Sequence, residues 1–221
     1  MREASRGGLG ISLPLPLIVA VLAVSLAACA GPAKREYVLG SPAVPSGSVL
    51  SVQAASPVVQ VERVQVPDYL DTRDIVTRHD RQVVPSETGR WAERLSVGAT
   101  RALAAALAAQ LKGVAVTSSQ PIDPPAVRVV VDIVDFDASL DGSVVLAARW
   151  TVTDATGQRS LSTEEATVSE LVSSERDAAL VAAMSAALDK LAIRISAGIE
   201  PNLAQRPKPL RSNLPSGSSS L

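Results

Sequence analysis

The chain contains a single cysteine, Cys29, among its 221 residues. No disulfide can form within one copy of the chain, so a folded domain must be held by its apolar core alone. That core must be mainly aliphatic, because 47% of the residues are hydrophobic but only 2% are aromatic. Large rings that could stack against sugars or bases are scarce, which disfavours carbohydrate and nucleotide binding.

Cys29 ends an N-terminal segment that has the layout of a secretory signal peptide. Arg2 and Arg6 give a basic start, residues 17–28 are apolar except for Ser25, and small residues precede the cysteine. The ending Leu-Ala-Ala-Cys resembles a bacterial lipobox, which implies cleavage before Cys29 and lipidation of its thiol. More than one acyl chain would give stable membrane attachment. A transmembrane helix, which needs about 20 apolar residues, and an ordinary signal with an unrelated cysteine are the alternatives.

Composition divides the chain into four parts. We expect a signal peptide at residues 1–28, a lipidated tether at 29–35, a single domain at 36–200 and a disordered tail at 201–221. The tail contains four prolines and a serine-rich run, so it offers little apolar surface for a core. The chain has 21 basic and 22 acidic residues without a basic stripe, and we therefore predict no nucleic-acid partner.

Alternating apolar residues predict an antiparallel meander of three strands at residues 127–136, 144–153 and 159–168. Asp141-Gly142 is a hairpin signal between the first two strands, and the third strand is polar enough to lie near an edge. In the first strand Val131 and Ile133 share one face, and Phe136 falls on the opposite face. In the second strand one face is shared by Val144, Leu146, Ala148, Trp150 and Val152. Shorter strands are predicted at residues 36–39, 58–66, 74–78, 82–84 and 114–117.

Two further stretches have the period of an amphipathic helix. The first runs from Thr88 or Gly89 to Lys112, and the second carries apolar residues at spacings of three and four from Leu180 to Ile199. Pro201 is expected to stop the second helix. The predicted fold is therefore α+β: a single domain with an antiparallel-rich sheet covered by two amphipathic helices.

No arrangement in the sequence predicts catalysis. His79 is the only histidine, it stands in an expected turn, and no Gly-x-Ser-x-Gly nucleophile elbow is present. Asp132, Asp135, Asp137 and Asp141 lack the alternating oxygen ligands and fixed glycine of a calcium loop. Asp135 and Asp137 alternate along a strand end, and we interpret them as acidic residues capping an exposed edge. The sequence therefore predicts no catalytic residue, no metal and no cofactor, in a protein that is not an enzyme.

Four segments between Tyr37 and Ile199 carry a family resemblance in a consistent order. They are Pro67-Asp68-Tyr69-Leu70-Asp71 with Ile75-Val76-Thr77-Arg78, Trp91-Ala92-Glu93-Arg94-Leu95, the hairpin positions Gly142, Leu146, Trp150, Asp154 and Gly157, and Ala179-Leu180-Val181-Ala182-Ala183-Met184-Ser185. Together they resemble the ABC-type transport auxiliary lipoproteins of the PqiC type. One departure is Thr72, which stands where the family often has arginine.

The resemblance implies a non-enzymatic component of an envelope lipid transport system. Its relatives work beside an MCE-domain protein, an ABC ATPase and a permease, which conduct phospholipid-like molecules between the membranes of a diderm envelope. The membrane contact would be the lipidated Cys29, and Ala30 after it fits the outer membrane, the family's usual destination. Whether the chain forms a homo-oligomer stays open.

Tyr69, Leu70 and Asp71 are the candidate partner contacts, because an aromatic ring presented by a loop is typical of contact hot spots. The alternative is that Tyr69 and Leu70 cover the end of the core while Asp71 caps a turn. A second functional hypothesis is a lipoprotein that itself binds an acyl chain or phospholipid in the periplasm. An aliphatic interior would suit that role, but the same residues are needed to fill an ordinary core.

Overall fold

A computed structural model describes residues 33–40, 56–138, 142–174 and 176–204. The expected signal peptide, Cys29, Asp141 and the tail from residue 205 onwards lie outside the described residues. The unit that begins at Arg35 carries the fold. Its strands are β1 (Arg35–Tyr37), β2 (Val58–Val61), β3 (Asp74–His79), β4 (Gln82–Trp91), β5 (Ala115–Thr117), β6 (Val127–Ala138), β7 (Ser143–Thr153) and β8 (Ser160–Leu171), and its helices are α1 (Leu95–Gln110) and α2 (Asp177–Ala204).

Five strands form the larger sheet in the order β5-β2-β6-β7-β8. The antiparallel meander β6-β7-β8 is confirmed, with β6 in the centre and the more polar β8 at an edge. The strand β2 lies between β5 and β6 and runs parallel to both, which the sequence pattern did not predict. The α+β class is confirmed: the domain has two helices and two sheets, and its longest strands, β6, β7 and β8, pair in antiparallel fashion.

The core lies where α1 and α2 pack together and against the larger sheet. The predicted inward face of β7 is confirmed, because Val144, Leu146, Ala148, Trp150 and Val152 are all buried. Trp150 has only 2% of its surface exposed and is the largest of the fully buried side chains. On the helix side, Leu103, Leu107, Leu188 and Leu191 fill the space above the sheet.

A β-bulge in β6 corrects the predicted face of Phe136. Ile133 pairs with Ala148 and Asp135 with Ala147, so Val134 is an extra residue in the strand. Val134 is 58% exposed, and the alternation shifts by one residue beyond it. Phe136 is consequently buried on the same face as Ile133, whereas the carboxylates of Asp135 and Asp137 point to the opposite face.

The remaining strands form a three-stranded sheet in the order β1-β4-β3. The predicted hairpin between β3 and β4 is confirmed, and Asp80 in its turn has a positive φ of 54°. The predicted helix start at Thr88 or Gly89 is wrong, because β4 continues to Trp91 and α1 begins only at Leu95. The added length of β4 is paired with β1, which supplies hydrogen-bond partners from a distant part of the chain.

The second helix passes through Pro201 and ends at Ala204, so the predicted stop at Pro201 is wrong. Proline removes one backbone donor from a helix, but other contacts hold this last turn. The side-chain amide of Asn202 donates to the carbonyl of Gly198 at 2.9 Å, and Leu203 packs against the core. Residues 201–204 therefore belong to the domain rather than to a tail.

Candidate functional site

The turn of residues 67–71 lies beside β6. Before the turn, the N–H of Gln65 donates to the carbonyl of Val131, and its carbonyl accepts from the N–H of Ile133, both at 2.9 Å. Within the turn, the N–H groups of Leu70 and Asp71 donate to the carbonyl of Pro67 at 2.9 and 3.1 Å. These bonds turn the chain so that Leu70 enters the core while Tyr69 stays at the surface.

Tyr69 belongs to a polar cluster that joins the two sheets, here named the Asp137 cluster and made of Tyr69, Arg78, Asp135 and Asp137. The Tyr69 hydroxyl donates to Asp137 Oδ2 at 3.1 Å, and Arg78 Nε lies 2.8 Å from the same oxygen. Arg78 Nη2 lies 3.0 Å from Asp135 Oδ2. Since Arg78 comes from β3 and both carboxylates come from β6, the cluster fixes the β3–β4 hairpin on the larger sheet.

The cluster places one carboxylate out of water. Asp137 is only 3% exposed, and its Oδ1 atom has no hydrogen-bond partner among the described residues. Burial, together with the neighbouring Asp135, raises the pKa of Asp137 to about 6. Burial and the nearby Asp137 carboxylate raise the pKa of Tyr69 to about 12, so its hydroxyl remains a hydrogen-bond donor at neutral pH.

This geometry corrects the interpretation of the acidic residues in β6. Asp135 and Asp137 do not simply lie at an exposed strand end, because Arg78 and Tyr69 cover them. Asp132 does lie exposed on the same strand. Among the described residues no group of three His, Cys, Asp or Glu side chains is arranged to hold a metal ion. His79 lies exposed at the end of β3, where it pairs with Gln82.

Asp71 has a structural contact at the start of α1. Its Oδ1 accepts a hydrogen bond from the backbone N–H of Ser96 at 3.0 Å, and its Oδ2 lies 3.3 Å from Arg94 Nη1. Burial alone would raise the pKa of Asp71, but the hydrogen bonds from Ser96 and the charge of Arg94 outweigh it. The pKa of Asp71 is therefore lowered.

The three candidate contact residues thus differ in position. Leu70 is 2% exposed and belongs to the core, which corrects the expectation that it faces a partner. The carboxylate of Asp71 is already hydrogen-bonded to the backbone at the start of α1. Tyr69 remains 36% exposed and is the one of the three whose ring is open to a partner. A contact made by Tyr69 stays a prediction.

An open groove lies on the helix side of the domain. It has a volume of about 530 Å³ and is formed where the residues after β1 pass α1 and the first turns of α2. Its lining is mainly aliphatic and includes Val38, Leu39, Val181 and Ala182, with Arg101 and Asp189 among its polar members. The groove was not predicted, because it is formed by segments far apart in the sequence.

Comparison with known proteins gives the family. Residues 37–196 match the family described as ABC-type transport auxiliary lipoprotein component. The chain belongs to this family. The resemblance carried by the four sequence segments is therefore confirmed, and the protein is an auxiliary lipoprotein of a transport system rather than a member of a known enzyme class.

Two proteins with the same name are similar in sequence to this auxiliary lipoprotein. Both are called intermembrane transport lipoprotein PqiC, one from Escherichia coli (strain K12) and one from Shigella flexneri. Each is 29% identical over 134 residues, which is 60% of this chain and 71% of the relative. The auxiliary lipoprotein is accordingly a protein of the cell envelope.

In the described part of the chain, no helix has both the length and the apolar character needed to cross a membrane.

Solved structures support the fold of this auxiliary lipoprotein. The crystal structure of an uncharacterized protein has a TM-score of 0.62 at 23% identity and covers 75% of this chain and 98% of that one. A crystal structure from Xanthomonas campestris has a TM-score of 0.56 at 17% identity and covers 78% of this chain and 94% of that one. At these identities the likeness concerns the α+β fold alone.

Proposed function

We propose that this protein is a non-catalytic, lipid-anchored accessory subunit of an ABC/MCE-type envelope lipid transport system. It binds and positions partner proteins, namely an MCE-domain protein and the associated ABC transporter components. Lipidated Cys29 holds it to the periplasmic side of a membrane, which we take to be the outer membrane. Family membership supports the accessory role, and the names of the relatives in Escherichia coli and Shigella flexneri support transport between membranes.

The exposed and fixed ring of Tyr69 is the observation that supports partner binding. Its ring is partly exposed, while its hydroxyl is held by Asp137 and its backbone by the turn at Pro67. An aromatic ring that is already fixed loses little conformational entropy when a partner covers it. Such rings are enriched among the residues that dominate binding energy. A rigid aromatic residue next to a bridge between two sheets is thus suited to positioning a partner.

The test is co-purification of the MCE-domain partner with the full-length, lipidated protein from detergent-solubilised membranes. We expect Tyr69→Ala to reduce the recovered partner by roughly tenfold or more, as for a hot-spot residue. The melting temperature should fall modestly in both this variant and Tyr69→Phe, because each loses the hydrogen bond from the Tyr69 hydroxyl to buried Asp137. Tyr69→Phe keeps the ring and should retain most of the binding.

Val83→Ala is the matched control, because Val83 is a similarly exposed residue (38%) on β4. This variant should leave partner recovery unchanged. Full recovery with a normally folded Tyr69→Ala protein would remove Tyr69 from the partner surface. Absence of any MCE or ABC component from the wild-type preparation would contradict the proposed function itself.

A second candidate function is direct binding of an acyl chain or phospholipid, and the aliphatic groove beside Val38 and Val181 favours it. Lipid extracted from the purified protein and identified by mass spectrometry would support this role. Ala182→Trp should then reduce the lipid recovered, because Ala182 lines the groove and is exposed there. Equal lipid content in the variant and the wild type would exclude the groove as the binding site.

A further inference from the structure

The Asp137 cluster contains two carboxylates and one guanidinium, so its formal charge with both acids ionised is −1. Arg78 contacts both acids, at 2.8 Å from Asp137 Oδ2 and 3.0 Å from Asp135 Oδ2. Asp135 and Arg78 are partly exposed and share their charge with water, whereas the side chain of Asp137 is 4% exposed. The excess negative charge therefore lies mainly on Asp137, the most deeply buried charged group of the cluster.

One carboxylate oxygen of Asp137 receives no hydrogen bond from the described residues around it. Both the Tyr69 hydroxyl and Arg78 Nε bond to Oδ2, while Oδ1 has no partner in the described part of the chain. The strand β7 places Val145 opposite Asp137 and adds no charge. A buried charged acceptor with no donor is unfavourable. A proton on the carboxyl group removes the excess charge and allows a hydrogen bond with the neighbouring Asp135.

We propose that Asp137 takes up and releases a proton in mildly acidic solution, and that this proton controls how firmly the β3–β4 hairpin is held on β6. The groups that face Asp137 are Tyr69 from the turn, Arg78 from β3 and Asp135 from its own strand. When the hairpin separates from β6, Asp137 enters water and prefers its ionised form. Opening therefore releases a proton, and a lower pH favours the closed hairpin.

The sign of the effect follows from the raised pKa of Asp137, about 6 against 3.8 for an ordinary aspartate. The closed form binds the proton more tightly than the open form does. The stabilisation of the closed hairpin by the proton on Asp137 is complete below pH ~4. It is lost as the pH rises through about 6. Because Tyr69 donates to the same carboxyl group, the position of its exposed ring depends on the same proton.

The first measurement is the carbon-13 chemical shift of the Asp137 carboxyl group, followed by NMR from pH 3 to pH 8 in the full folded domain and assigned with Asp137→Asn. We expect a titration midpoint near 6. A midpoint below about 4.5 would overturn the proposal, because the group would then be an ordinary ionised aspartate throughout the neutral range.

The second measurement is hydrogen exchange of the β3 amides, expressed as protection factors at pH 5 and pH 7.5. We expect wild-type protection to fall by roughly tenfold at the higher pH, since the equilibrium constant for opening rises about tenfold between pH 5 and the midpoint near 6 and levels off above it. Asp137→Asn should show no such change, because asparagine keeps acceptor and shape without titrating. The same pH response in Asp137→Asn would overturn the proposal.

Asp132→Asn is the matched control. Asp132 lies exposed on the same strand, so this variant should keep the wild-type pH response. Asp135→Asn removes the neighbouring negative charge and should move the midpoint of Asp137 to lower pH. An unchanged midpoint in Asp135→Asn would contradict the part assigned to the paired carboxylates.

Discussion

The carboxylate of Asp71 accepts a hydrogen bond from the backbone N–H of Ser96 at 3.0 Å, and this bond fixes the Tyr69 turn to the first turn of α1. The N-cap residue of α1 is Arg94, which makes no side-chain cap, and the first turn contains no acidic residue. Asp71 therefore supplies from another segment the acceptor and the negative charge that a helix N-terminus favours.

Asp71→Ala should destabilise the domain by about 1 kcal/mol, the usual cost of losing a helix cap. Asp71→Asn should cost less, because it keeps an oxygen for Ser96. Urea unfolding at pH 7 measures both, and Asp68→Ala is the control at an exposed neighbouring position. Folding lowers the pKa of Asp71, so its contribution to the free energy of unfolding is fully present above its unfolded-state pKa. That contribution is lost as the pH falls through the lower folded-state pKa. Equal stability of the Asp71→Ala protein and the wild type at pH 7 would contradict the capping role.

Trp150→Ala should be severely destabilising, because a buried tryptophan lost from a core costs about 3–5 kcal/mol. Trp150→Phe should cost clearly less. Phenylalanine keeps much of the packing, and the indole N–H of Trp150 has no hydrogen-bond partner among the described residues. Chemical denaturation of the two variants provides the comparison. A Trp150→Ala protein as stable as the wild type would be incompatible with the packing of β7 under the helices.

The end of α2 can be tested by truncation. Removal of residues 201–221 deletes Leu203, which packs against the core, so the melting temperature should fall by several degrees. Removal of residues 205–221 keeps Leu203 and should leave the melting temperature nearly unchanged. The comparison by thermal unfolding separates the helical turn from the segment beyond it. Identical melting of both truncated chains would show that the last turn contributes nothing.

Lipidation is tested at Cys29. Cys29→Ala should abolish the acyl modification and move the protein out of the membrane fraction, because the thiol is the attachment point in a lipobox. Mass spectrometry of the mature N-terminus and membrane fractionation check the two effects. An unmodified Cys29 in the mature wild-type protein would exclude a lipid anchor at this residue.

The sequence predicted the elements whose partners are close in the chain. The β6-β7-β8 meander and the β3–β4 hairpin follow from alternation and turn residues, because each strand pairs with the next one. The full length of β4 could not be predicted in this way. Its second half, Ser86 to Arg90, is polar, and its pairing with β1 depends on residues about 50 positions earlier.

The candidate site was predicted only in part for a related reason. Tyr69 was identified from the sequence, but its partners Arg78 and Asp137 were not, because spatial proximity between them depends on tertiary packing. The bulge at Val134 also changed which residues share a face with Asp137. Simple alternation placed Phe136 and Ile133 on opposite faces, and a single extra residue reversed that assignment.

The position of β2 has a consequence for the order in which the chain folds. Residues 58–61 pair in parallel with strands that begin at Ala115 and Val127. A chain made from its N-terminus must extend by more than 50 further residues before Val59 and Val61 acquire either neighbour. Parallel pairing across such a separation carries a large loop-closure cost and is slow to form. Completion of the core is therefore a late step, which waits for β6 even though β2 is made near the beginning of the domain.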